Sequence, residues 1–183
     1  PGMISYNCPE NKMPACLFVV PPLLMPCPSH PTIAYPAYPL YTQHLVIAQQ
    51  QWAIQIPAPF AVQQQYVQRS ATDAQAPFPS WARLWPSAIA MAHFLLQNPQ
   101  TILHKRVLEI AGGIGLPSLV AAGLASQVVY SDISDEAVSV AACNAKMLGL
   151  QNMECQCFGW QRLPKGLTTD VVILSDVNYD PRN

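Results

Sequence analysis

The run V-L-E-I-A-G-G-I-G from Val107 to Gly115 constrains this chain more than any other stretch. A short strand that ends in an acid and a glycine-rich turn, then enters a helix, lets a nucleotide-like ligand touch bare backbone. Seventeen residues after Gly115, Asp132 closes a second apolar run, Q-V-V-Y-S-D. A carboxylate at the tip of that second strand can accept hydrogen bonds from both hydroxyls of a ribose, so the two runs outline an adenosine site. Glu109, Ala111, Gly112, Gly113, Gly115 and Asp132 are its first candidates. Three glycines within four positions are more than an ordinary turn requires.

The surrounding pattern predicts an α/β fold. Arg106 to Ile110 reads as a first strand, Pro117 to Gly123 as a crossover helix and Val128 to Ser131 as a second strand. Asp135 to Leu148 follows as a helix, with Ser134 as its cap and Gly149 as its stop. Met153 to Phe158 is a third strand and Asp170 to Asp176 a fourth. Ahead of them, Pro86 suits the first turn of a helix whose apolar face is Ile89, Met91, Ala92, Leu95 and Leu96, ending near Asn98-Pro99. Alternating strands and helices imply right-handed crossovers and a Rossmann-like, doubly wound parallel sheet, with strand order 3-2-1-4 and both faces covered. A ligand is expected at the carboxyl ends of the strands, where Glu109, Gly113, Asp132 and Asp176 project.

The N-terminal part has a different texture. Residues 1–80 carry only Glu10, Lys12, Arg69 and Asp73 as charged groups, and 14 of the 19 prolines precede Ser80. Ten prolines before Tyr41 block helix and central strand, so residues 1–43 are expected to be a disordered or irregular leader. Leu17 to Met25 superficially resembles a signal-peptide core, but Pro21 and Pro22 interrupt it. Residues 44–75 are glutamine-rich; the alternation of Trp52, Ile54 and Ile56 suggests an antiparallel hairpin, and a low-complexity linker is the alternative. Arg69 to Pro79 reads as loop, and residues 76–183 as the regular domain.

The 9 basic and 10 acidic side chains create no field for nucleic acid or a membrane surface, and neither partner is expected. The six cysteines show no C-x-x-C or Cys/His ligand spacing, so no metal is expected, and reduced thiols point to the cytoplasm. Cys155 and Cys157 share one strand and cannot easily bridge.

In order along the chain, L-W-P-S-A at Leu84 to Ala88, E-I-A-G-G-I-G at Glu109 to Gly115, Y-S-D ending at Asp132, Gly159-Trp160 and L-S-D-V-N-Y-D at Leu174 to Asp180 resemble class I (seven-β-strand) S-adenosylmethionine methyltransferases. The first element together with Asp176 and Tyr179 is similar to the protein-lysine methyltransferase branch. The resemblance covers roughly Ala76 to Pro181. It implies S-adenosylmethionine as cofactor and a protein lysine or a small amine as methyl acceptor.

The resemblance further implies that Trp85 packs beside the donor, that the backbone of Ala111 to Gly113 supports its methionine portion and that Asp132 holds the ribose. Trp160 would flank the adenine, Ser175 and Asp176 would border the reacting sulfonium, and Tyr179 would be a second partner for the acceptor. Ala111 departs from the family's usual glycine, and its methyl group penalises a positive φ. Gly159 stands where an acid commonly precedes the tryptophan.

Bland alternatives stand beside these roles. Asp132 could cap the next helix, Glu109 could pair with Lys105 or Arg106, Trp85, Trp160 and Tyr179 could be packing aromatics, and Asp176 could be an exposed cap. His93 and His104 are assigned no chemistry. An NAD-dependent oxidoreductase shares such a sheet, but its G-x-G-x-x-G is met here by G-I-G-L-P-S from Gly113. A further alternative is an inactive donor-binding fragment or a non-catalytic interaction protein, because the chain stops after a fourth strand and leaves it as an apolar edge.

Overall fold

In the computed structural model, which describes residues 38–177, the chain opens with a hairpin of β1 (Leu40–Ile47) and β2 (Gln50–Pro57). Its two-residue turn places Ala48 and Gln49 at φ of 47° and 67°, the conformation of a tight hairpin turn normally given to Asn-Gly. Tertiary packing holds it there. Ile47, Ile54 and Ile56 are buried, and the side chain of Asn144 grips β2 from the side. Its Oδ1 accepts from Gln55 N at 2.6 Å and its Nδ2 donates to Gln55 O at 2.8 Å, as a neighbouring strand would. The alternation of Trp52, Ile54 and Ile56 is thus that of a hairpin rather than a linker, and its first strand begins inside the stretch assigned to the leader.

The rest of the glutamine-rich segment is helical. α1 (Pro59–Thr72) starts on a proline in its first turn, buries Val62 and is tied down by Arg69, whose Nη2 lies 2.7 Å from Glu136 Oε1. This corrects the expected loop, which begins only after Thr72. Tyr66 meets Phe78 edge-on at 5.1 Å, closing the connection back onto the helix.

α2 (Pro86–Gln97), β3 (Arg106–Ile110), α3 (Leu116–Ala122), β4 (Gln127–Asp132), α4 (Asp135–Met147), β5 (Met153–Cys157) and β6 (Val171–Ile173) follow the expected order. Ser134 caps α4 by accepting from Ala137 N, and Gly149 stops it at φ 71°. The parallel sheet runs β5-β4-β3-β6, which is the expected 3-2-1-4. β6 is shorter than its apolar run, so Ser175 and Asp176 lie beyond the strand.

One face of the sheet carries most of the core. Val107, Val128 and Ile173 pack with Ala92, Leu95, Leu119, Val140 and the hairpin isoleucines. Successive right-handed crossovers in one direction, β3 to β4 to β5, place α3 and α4 on that same side. The opposite face is a smaller cluster of Leu108, Ile110, Val129 and Phe158, with Leu167 against it. Helical cover on both faces, expected of double winding, is therefore not what the described residues provide. The return to β6 is made by irregular chain and a short 3₁₀ turn at Trp160–Arg162. At the edge, Val172 and Leu174 are exposed.

Candidate functional site

The sheet changes direction at β3, whose neighbours are β4 on one side and β6 on the other, and the glycine turn leaves from its carboxyl end. Three residues of the turn take left-handed backbone: Ala111 at φ 55°, Gly113 at 56° and Gly115 at 80°. An L-residue in that region costs about 1–2 kcal/mol, so Ala111 stores strain that a glycine would release. The turn is nonetheless fixed, because β4 binds both polar groups of Gly113. Asp132 Oδ2 accepts from Gly113 N at 3.0 Å, and the Tyr130 hydroxyl donates to Gly113 O at 2.6 Å.

Asp132 faces the turn, with only 6% of its surface exposed. Its Oδ1 accepts from Ser134 N at 3.0 Å, so the residue also makes the local turn into α4 that was the alternative reading. The two functions are compatible, since each carboxylate oxygen retains a second lone pair. Burial raises the carboxyl above its ordinary range, while the amides of Ser134, Gly113 and Ile133 pull it back down.

Glu109 is fully buried on the same face of the sheet, directly opposite Tyr130 in register. Its Oε2 accepts from Ser118 N at 3.0 Å, giving α3 the cap that Gly115 cannot supply. Oε1 and the Ser118 hydroxyl oxygen have no hydrogen-bond partner. Burial, aided by the nearby Asp132, pushes the Glu109 carboxyl up to about 8, with Ser118 opposing the rise. The ion-pair alternative is overturned. Arg106 Nη2 binds Asp170 Oδ1 at 2.8 Å and Lys105 Nζ donates to Thr101 O, both away from the buried acid.

Tyr130 was not singled out by the sequence, although it is the floor of the turn. A Cβ on Gly112 would lie 2.5 Å from its ring and one on Gly115 3.1 Å away, so both glycines are required by close approach. Gly113 is hemmed in from outside by Trp81, whose carbonyl oxygen would be 3.2 Å from an added Cβ. Trp85 is half-buried, donates its indole N–H to Ser80 O at 2.9 Å and lies under the Arg83 guanidinium. Trp81 thus stands against the turn at Gly113.

On the rim past Asp132, Ile133 is 80% exposed and Trp160 39%. A Cβ on Gly159 would strike Ile133 Cγ2 at 2.8 Å, so any larger residue there requires Ile133 to shift. Ile133 was overlooked because a single exposed isoleucine carries no sequence signal. Beyond β6, the Ser175 hydroxyl is buried without a partner, and Asp176 is exposed at φ 58°. Tyr179 lies outside the described residues.

A model of the lysine methyltransferase family matches residues 79–183. The electron transfer flavoprotein beta subunit lysine methyltransferase of Danio rerio is 32% identical over 114 residues, which are 57% of this chain and 40% of that protein. The histone-arginine methyltransferase METTL23 of Xenopus laevis is 27% identical over 106 residues, 55% of this chain and 45% of that protein. The chain thus spans less than half the length of these two relatives. Among solved structures, the T. thermophilus 16S rRNA N2 G1207 methyltransferase RsmC, in complex with AdoMet and guanosine, superposes with a TM-score of 0.54 over 74% of this chain and 32% of its own. At 13% identity that likeness is one of fold. These matches set aside the oxidoreductase alternative. With the strand, the glycine turn and the acid of β4 all inside a match that takes in more than half of its residues, the chain belongs to the lysine methyltransferase family.

Proposed function

We infer that this chain is the donor-binding part of an S-adenosylmethionine-dependent methyltransferase that acts on an amine nitrogen of a protein, with lysine as the favoured acceptor. The observation that carries the reading is the Asp132 carboxylate set on the glycine turn through Gly113 N, with lone pairs to spare. The residues fit the cofactor. A ribose finds a charged acceptor in Asp132, a methionine tail finds bare backbone at Gly112 and Gly113, and an adenine finds exposed apolar surface at Ile133 and Trp160. Bound there, the cofactor supplies an electrophilic methyl group on a sulfonium.

What the chain's own residues do is align and dehydrate. Holding the reactants together contributes about 7–11 kcal/mol to such a displacement. A lysine, with a reference pKa of about 10.4, must shed a proton before its lone pair attacks. Asp176 and Tyr179 are cast as positioning partners for that amine. A carboxylate beside it raises its pKa and opposes deprotonation, so Asp176 is not cast as the base. No helix among the described residues is long and apolar enough to cross a membrane, and the cytoplasm is proposed as the site of action.

Isothermal titration with S-adenosylmethionine and S-adenosylhomocysteine tests donor binding. Each hydrogen bond to an ionised acceptor contributes about 1.5–3 kcal/mol, so Asp132→Ala weakens both ligands by about tenfold or more. Absence of heat at millimolar ligand refutes the reading. Incubation with lysate protein and labelled donor, followed by hydrolysis and amino-acid analysis, separates methyl-lysine from methyl-arginine. The arginine outcome is the one favoured by the likeness to the histone-arginine enzyme.

A further inference from the structure

Glu109 is a buried acid for which the proposed reaction has no use, and its surroundings are unusual. It is completely enclosed, its Oε1 has no hydrogen-bond partner, and its carboxyl carbon lies only 3.0 Å from where a Cβ on Gly112 would stand. The carboxyl group therefore sits immediately beneath the turn, with glycine backbone between it and whatever rests above. Its electrostatic neighbours are Asp132 and Tyr130 on β4 and Cys155 on β5, and its hydrogen-bond partner is Ser118 on α3. None of these carries positive charge.

Within this cluster the two carboxyl groups are not equivalent. Asp132 has an amide on each oxygen, from Gly113 and Ser134, which stabilises its ionised form. Glu109 has one amide, that of Ser118, with the Ser118 hydroxyl as its other polar neighbour, against the two amides on Asp132, so the proton of the pair belongs on Glu109. Its burial agrees, raising the group to about 8. A cation placed over the turn would change that balance, because charge interactions across a dry, thin layer are weakly screened.

We propose that Glu109 senses the charge of the bound donor, releasing its proton to solvent when a sulfonium settles over the turn and recovering one when only the neutral thioether remains. This rests on the donor-binding reading above. Glu109 is then a specificity-determining residue that favours S-adenosylmethionine over S-adenosylhomocysteine, and increasingly so as pH rises. No covalent bond changes at Glu109: its O–H bond breaks on binding of the cation, the proton passes to buffer, and the reverse occurs after methyl transfer.

Titration calorimetry in buffers of different ionisation heat reads the proton count directly. Near pH 7, below the value of about 8 for Glu109, the sulfonium is expected to release most of a proton more than the thioether. The affinity ratio between the two ligands then climbs toward tenfold per pH unit and levels off above about 8. Both ligands carry the same α-amino group, and Glu109→Gln, which keeps shape and one acceptor, supplies the control in which the ratio is flat. Equal proton counts for the two ligands, or an unchanged pH dependence in Glu109→Gln, overturns the proposal while leaving donor binding intact. No heat with either ligand overturns the donor reading and this one with it.

Difference infrared spectra of protein labelled at its four glutamates give a readout that needs no variant. The protonated-carboxyl band is expected to vanish on adding the sulfonium and to persist with the thioether. A band that persists with both refutes the proposal.

Discussion

Gly112→Ala isolates the contact on which the turn's shape depends. Gly112 lies outside the left-handed region, so alanine meets no backbone penalty there, only steric conflict. Its methyl group would stand 2.5 and 2.8 Å from two carbons of the Tyr130 ring and 3.0 Å from the Glu109 carboxyl carbon. Neither neighbour can yield. Tyr130 is fully buried with its hydroxyl anchored on Gly113 O, and its ring also lies against Gly115. Overpacking a tight site costs about 1–3 kcal/mol, and three such contacts put this change at the upper end. Gly149→Ala is the matched control: φ is 71° and nothing lies within 4 Å, so only backbone strain of about 1–2 kcal/mol is felt. Both lose a glycine and so share the same unfolded-state gain of about 0.4–1 kcal/mol. Urea unfolding should therefore show Gly112→Ala less stable than Gly149→Ala by about 1 kcal/mol or more, and Tyr130→Leu should recover part of that loss. If Gly112→Ala is no worse than Gly149→Ala, or its cost adds fully to that of Tyr130→Leu, then Tyr130 is not the floor of the turn.

Stability should fall as pH rises from about 4.5 to about 8, because over that window the unfolded Glu109 is ionised while the buried one still holds its proton. Glu109→Gln should flatten that portion of the denaturation profile, and an unaltered profile would refute the assignment. Tyr130→Phe removes the hydroxyl that satisfies Gly113 O and should cost about 1–2 kcal/mol by urea unfolding, with a parallel loss of S-adenosylhomocysteine affinity. Unchanged affinity would make Tyr130 a packing residue alone. Asn144→Leu strips two backbone hydrogen bonds from Gln55 and should cost about 2 kcal/mol or more while raising amide exchange in β1 and β2 above that in β3. Uniform protection across both sheets would show that the hairpin does not depend on that grip.

The fold was legible where local signals agree with one another. β3 begins and ends at the expected residues because five residues of strand pattern end at a glycine cluster, and α4 lies between a serine cap and a glycine stop. α1 was not legible. Glutamines mask its periodicity, Val62 is its one buried residue, and its anchors are Arg69 on Glu136 and Tyr66 on Phe78. The first of these spans 67 positions, beyond the reach of any local pattern. Pro59 in the first turn, with Val62 and Tyr66 four apart, was the faint signal available.

At the candidate site, the sequence marks the residues of unusual chemistry better than those that hold them in place. Asp132 and the glycines stand out because their chemistry is rare at a strand tip. Tyr130, two positions earlier, looks like any strand aromatic until register sets it opposite Glu109 and under Gly112. The same register explains why Ala111 is tolerated. Gly113 is bound at its N–H by Asp132 and at its carbonyl by Tyr130, and Gly112 N donates to Ser131 O, so three consecutive residues of β4 fix the bend from one side. A strain of about 1–2 kcal/mol at one residue is within the reach of three such bonds at about 0.5–1.5 kcal/mol each. The departure from glycine at position 111 is therefore not evidence against a ligand-bearing turn: β4 imposes the shape that glycine would otherwise merely permit.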